Sequence, residues 1–114
     1  MSDPLKNYLK AHRKLCGFTQ SEVAYLVGHE NAHGISRYES FRQIPDLFSA
    51  LAYEVLFDVP ARDLFAGIFN EAELKTQNRA YLLARKLEGK KPTPALASKI
   101  ERLHLVYLHA LQEE

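Results

Sequence analysis

The string His29-Glu30-Asn31-Ala32-His33 has a spacing that can do chemistry. On an unbroken helix, two imidazoles four residues apart share one face and bind Zn²⁺, with the glutamate between them as general base. Glu54, further along the chain, offers a third ligand. The flanking residues argue against this use. Gly28 and Gly34 bracket the string and interrupt the helix that would have to carry both histidines. The chain is also short for a substrate cleft. His12, His104 and His109 are scattered along helical segments, and no phosphate-cradling glycine loop, Ser/His/Asp set or Cys/His pair accompanies them. Cys16, the single cysteine, forms neither an internal disulfide nor a cysteine-based metal site by itself. It reads as a small, half-buried apolar residue suited to a reducing cytosol. The expectation is a protein that is not an enzyme and needs no cofactor or metal.

A different chemistry, the binding of an anion, is suggested by how charge is distributed along the chain. Net charge is only +1, which does not announce nucleic acid, but the distribution is polar. Up to residue 42, Lys6, Lys10, Arg13, Lys14, Arg37 and Arg42 outnumber Asp3, Glu22, Glu30 and Glu39, while the stretch from Gln43 to Glu88 is net acidic. An N-terminal face suited to anions follows.

The elements that would position these side chains read as all-α. With 46% hydrophobic and 25% charged residues, the 114-residue chain has the composition of a globular domain plus an extension. No secretory signal or membrane span is expected from its start, which favours the cytoplasm. Helical periodicity runs throughout, punctuated by glycine and proline. A first helix is expected from Pro4, carrying Leu5, Tyr8, Leu9 and Leu15 on its core side and stopping at Gly17. Thr19 and Glu22 form a capping box, so a second helix begins at Gln20, carries Val23, Ala24 and Val27 inward and ends at Gly28. A third, from Asn31 or Ala32 to Ser40, points Ile35 and Tyr38 inward. Asp46 caps a fourth with Leu47, Leu51, Ala52, Val55 and Leu56 inward, and Pro60 opens a short fifth that ends near Gly67. Two longer segments follow, Phe69 to Glu88 and Thr93 to Leu111. The second bears a stripe of Leu96, Ile100, Leu103, Tyr107 and Leu111.

Two helices joined at a glycine, the second polar outside, suit a major groove about 12 Å wide. The order Thr19-Gln20-Ser21-Glu22-Val23-Ala24-Tyr25-Leu26-Val27-Gly28, then Ile35-Ser36-Arg37-Tyr38-Glu39, resembles the Cro/lambda-repressor-like (Xre) helix-turn-helix family. Pro45-Asp46-Leu47 and the run from Val59 to Phe65 look like its closing helices, so the resemblance extends from about Leu5 to Phe65. It implies a five-helix domain over residues 4–67, and the two longer segments beyond it read as a helical hairpin over 68–112. It implies phosphate contacts from Thr19 and Gln20, and base-edge contacts from Asn31, Ala32, His33 and Arg37. Ser40 and Arg42, just beyond, are candidates for backbone contact. Arg13 and Glu39 match a structural pair in which an arginine of the first helix ties down the end of the third. Three features depart from the pattern: an extra residue between Gly28 and Ile35, Gly34 within the third helix, and Ser40-Phe41 where the family often has Arg-Gly.

The implied function is a sequence-specific DNA-binding regulator of transcription, with repression as the family tendency and double-stranded DNA as partner. The apolar stripe of the hairpin points to a homodimer, or to another protein partner. The rival reading is an antitoxin-like or assembly module that keeps the fold and acts through protein contacts.

Overall fold

A computed structural model of the chain describes residues 4–112, with side chains described through residue 108. Asp3, and the side chains of His109 and Leu111, lie outside the described residues. Among the described residues the protein is all-α, with seven helices and no strand. These are α1 (Leu9–Cys16), α2 (Gln20–Val27), α3 (Ala32–Glu39), α4 (Leu47–Phe57), α5 (Ala61–Leu64), α6 (Ala66–Leu87) and α7 (Pro94–Gln112). The chain divides into two compact units, Met1–Phe69 and Asn70–Glu114.

The core of the first unit is built from Leu9, Val23, Ala24, Val27, Ile35, Tyr38, Tyr53, Leu64 and Phe65. Local signals set most of its helix ends. Thr19 accepts from the Glu22 N–H while the Glu22 carboxylate accepts from the Thr19 N–H, closing the capping box of α2. Gly17 and Gly28 take the left-handed conformation, at φ 81° and 84°, and end α1 and α2. Asp46 caps α4 by accepting from the Ser49 N–H at 2.7 Å, a bond that holds its carboxyl below the ordinary range.

Three expectations are corrected. The first helix starts at Leu9, not at Pro4, because the segment before it is bonded elsewhere. The Leu5 carbonyl accepts from the Gly67 N–H at 2.8 Å, and the Tyr8 N–H donates to the Leu64 carbonyl at 2.8 Å. Asn7, buried, donates to the Tyr38 carbonyl at 2.9 Å and accepts from the Leu9 N–H at 3.1 Å. Leu5 and Leu15 are consequently exposed, and so is Cys16, at the last turn of a helix with only Leu9 fully inside.

The second correction concerns α4. Its fully buried residues are Ser49 and Tyr53, with Ala50, Phe57 and the expected Ala52 and Leu56 packed beside them, while Leu47, Leu51 and Val55 are exposed. A helix apolar on every side gives periodicity no direction to report. The third concerns Gly67, which does not end a helix. The break falls at Phe65, and α6 runs through Gly67. A Cβ there would lie 2.5 Å from the Leu5 carbonyl oxygen, so this glycine serves a close backbone approach.

In the second unit α6 buries Gln77, Ala80 and Ala84. Thr93 caps the start of α7 by accepting from the Leu96 N–H at 3.0 Å. The stripe residues Leu96, Ile100, Leu103 and Tyr107 are half-buried, and Tyr81 meets Tyr107 edge-on with ring centroids 5.4 Å apart.

Candidate nucleic-acid interface

The 3.6-residue period of α3 sorts its side chains by face. Gly34, Ile35, Tyr38 and Glu39 are buried, and His33, Ser36, Arg37 and Ser40 share the opposite, exposed arc. That arc is entirely polar and carries one permanent cation. The Arg37 guanidinium is held by its Nε, which donates to Gln43 Oε1 at 3.0 Å, leaving both terminal nitrogens outside that bond. Ser36 lies at one edge of the arc and Arg37 at the other, with Ser40 and His33 between them.

The other expected contact residues fall into two sets. Thr19 and Gln20 sit at the start of α2 and Asn31 and Ala32 at the start of α3, where unpaired N–H groups and the helix dipole favour phosphate. Three of these side chains already have structural work, Thr19 as the acceptor in the capping box of α2. Asn31 caps α3 by accepting from the His33 N–H at 2.9 Å, and Gln20 Nε2 donates to Glu39 Oε1 at 3.1 Å. Ala32 is half-buried, and Arg42 is exposed just beyond α3.

Arg13 and Glu39 meet in a bidentate ion pair, Nε to Oε2 at 2.6 Å and Nη2 to Oε1 at 3.0 Å. Arg13 Nη1 also donates to the Phe18 carbonyl at 3.0 Å, so α1, the entry to α2 and the end of α3 are tied together. The hydrogen bond that it donates to Glu39 raises the Arg13 guanidinium above its already high ordinary value. Beside this pair, burial pushes the Tyr53 phenol up.

Gly34, within α3, has a packing explanation. His29 folds back from the turn, its Nε2 lying 3.0 Å from Ser49 Oγ and 3.3 Å from Tyr38 Oη. Its ring meets Tyr38 edge-on and lies against Gly34, where an added Cβ would come within 3.1 Å of Nδ1. His29 therefore precedes α3 and packs toward α4, while His33 is exposed on α3, so the two imidazoles do not share a helical face. Among the described residues no group of three or more His, Cys, Asp or Glu side chains is placed to hold a metal ion.

The end of α3 is unusual. The Arg42 N–H donates to the Arg37 carbonyl at 3.0 Å and the Phe41 N–H to the Tyr38 carbonyl at 3.2 Å, the pattern of a Schellman cap. Phe41 occupies its left-handed position at φ 66°, where glycine is the unstrained residue.

None of the described helices is long and apolar enough to cross a membrane. Comparison of the chain with protein-family models, with curated proteins and with solved structures finds no match in any of the three.

Proposed function

We propose that α2, the Gly28 turn and α3 form a helix-turn-helix of the Cro/lambda-repressor-like kind, that α3 docks in the major groove of double-stranded DNA, and that the protein regulates transcription, with repression the favoured sign. The observation that carries this reading is the exposed arc of α3, wholly polar, with Arg37 presented from it through Gln43. In this reading Arg37 reads a base edge, His33 and Ser36 lie along the groove, and the first turns of α2 and α3 take phosphates. The Arg13–Glu39 pair fixes the angle at which α3 is presented.

Two copies are proposed to act together, because the hairpin of α6 and α7 buries few large side chains and exposes Leu74, Leu82, Leu83, Leu105 and Leu108. Two recognition helices would then address half-sites about one helical turn apart. Exposed Cys16 without a partner cysteine suits a reducing cytoplasm. The exposed apolar rows also support a second reading, a module acting mainly through protein contacts.

Fluorescence anisotropy against random and genomic upstream duplexes, at two salt concentrations, separates the readings. DNA binding is expected to weaken steeply with salt as counterions are released. Arg37→Ala is expected to lower affinity by about 1–3 kcal/mol at the preferred sequence. Absence of binding at micromolar protein and low salt would overturn the DNA reading in favour of the protein-contact module.

A further inference from the structure

The fourth helix has an outer face that the DNA-binding reading does not use. Viewed down its axis, Leu47, Phe48, Leu51 and Val55 fall within one arc of about 100°, opposite the arc of Ser49 and Tyr53 that enters the core. Leu47, Phe48 and Val55 are 74%, 76% and 83% exposed, and Ile44, in the non-helical segment that leads into α4, is exposed as well. No charged side chain of the helical residues Leu47–Phe57 falls within the arc. Of the three carboxylates of this segment, Asp46 caps α4, Glu54 accepts from the Ala61 N–H at 2.6 Å, and Asp58 is exposed at the C-cap.

We infer that this face is an interface with a second copy of the same chain, made by the antiparallel or crossed packing of α4 on its counterpart. Three observations favour that occupant. The five apolar residues present on the order of 600 Å² of accessible surface, the top of the range for the largest apolar patch on a monomer, about 300–600 Å². That area is most of the roughly 800 Å² that each partner contributes to a standard interface. The row Leu47, Leu51, Val55 is an i, i+4 ridge flanked by a shallow place at Ala52, and two identical i, i+4 ridges pack into each other's grooves in the commonest helix-crossing class. With no charge on the face, apposing it to itself brings no like charges together, and it offers no polar handle to a partner of different chemistry.

The face lies on the element that follows the recognition helix, so pairing there couples the headpieces directly, whatever the hairpins do. Oxidative cross-linking tests this without DNA, so its outcome is separate from that of the DNA-binding reading. Leu47→Cys, Leu51→Cys and Val55→Cys are each made in a full-length Cys16→Ser background, and the wild-type chain, with its exposed Cys16, reports random collision. A disulfide needs Cα atoms within about 7 Å, which a helix crossing centred on this ridge provides for at least one of the three. That variant is expected to form covalent dimer about tenfold faster than the wild type at micromolar protein, because pairing raises the local thiol concentration. Adding Phe48→Lys is expected to return the rate to that of collision. If all three variants cross-link no faster than the wild type, or if Phe48→Lys leaves the faster rate unchanged, the inference is overturned, and the face is assigned to a different protein.

Discussion

Glu39 accepts three hydrogen bonds, from Arg13 Nε at 2.6 Å, Arg13 Nη2 at 3.0 Å and Gln20 Nε2 at 3.1 Å. The Arg13 and Glu39 side chains are 12% and 4% exposed, so neither charge is left to water. Glu39→Ala would strand a mostly buried guanidinium and a glutamine amide, a loss of about 3 kcal/mol by the usual cost of breaking such a pair. Urea unfolding measures it, and a loss below about 0.5 kcal/mol, the scale of an exposed pair, would remove Glu39 from this role. The Arg13→Met, Glu39→Leu double variant is expected to recover most of the loss, because apolar residues of similar volume leave no charge unpaired. Such partnerships are legible in a sequence only through a resemblance, since nothing local relates residue 13 to residue 39. His29 had no such guide. Its partner Ser49 lies twenty residues further on, and Gly34 reads as a blemish in α3 until the imidazole packed against it is seen.

Elements whose ends are set by neighbours in sequence were readable, and those set by distant partners were not. The capping box of α2, the αL glycines 17 and 28 and the Asp46 cap are all local chemistry. The start of α1 answers instead to carbonyls and amides some sixty residues away, and the face of α4 could not be chosen because its apolar residues surround it. At the end of α3, Phe41 fills the left-handed position of a Schellman cap. A non-glycine residue there is strained by about 1–2 kcal/mol, and glycine costs up to about 1 kcal/mol in chain entropy. Phe41→Gly is therefore expected to stabilise the fold by up to about 1 kcal/mol, seen as a higher thermal midpoint. A lower midpoint would mean that the ring contributes more packing than its half-exposed position indicates. The exposure of His33, Arg37 and Ser40 on the outward arc of α3 was legible in the sequence, because Ile35 and Tyr38 fix the opposite face.

The first unit is closed by backbone joining its two ends. Leu5 and Tyr8 are bonded to Gly67 and Leu64, and the side chains of Leu9, Leu64 and Phe65 complete one core. At Gly67 a Cβ would meet backbone atoms of Leu5 and Lys6 at 2.5–2.8 Å, which no rotamer change can relieve. Gly67→Ala should cost at least about 2 kcal/mol despite the better helix propensity of alanine, and should raise amide exchange across residues 5–8. An unchanged exchange pattern would show that the clasp tolerates displacement. The same clasp sets a schedule during synthesis. Residues 5–8 leave the ribosome with no partners, and the chain must grow by roughly sixty residues, some 3–12 s at about 5–20 residues per second, before Leu64 and Gly67 exist to receive them. Until then Leu9 and Tyr53 have an incomplete shell, so a nascent chain released before residue 67 would carry the whole of α2 and α3 yet lack its closure, and would be a ready substrate for proteolysis.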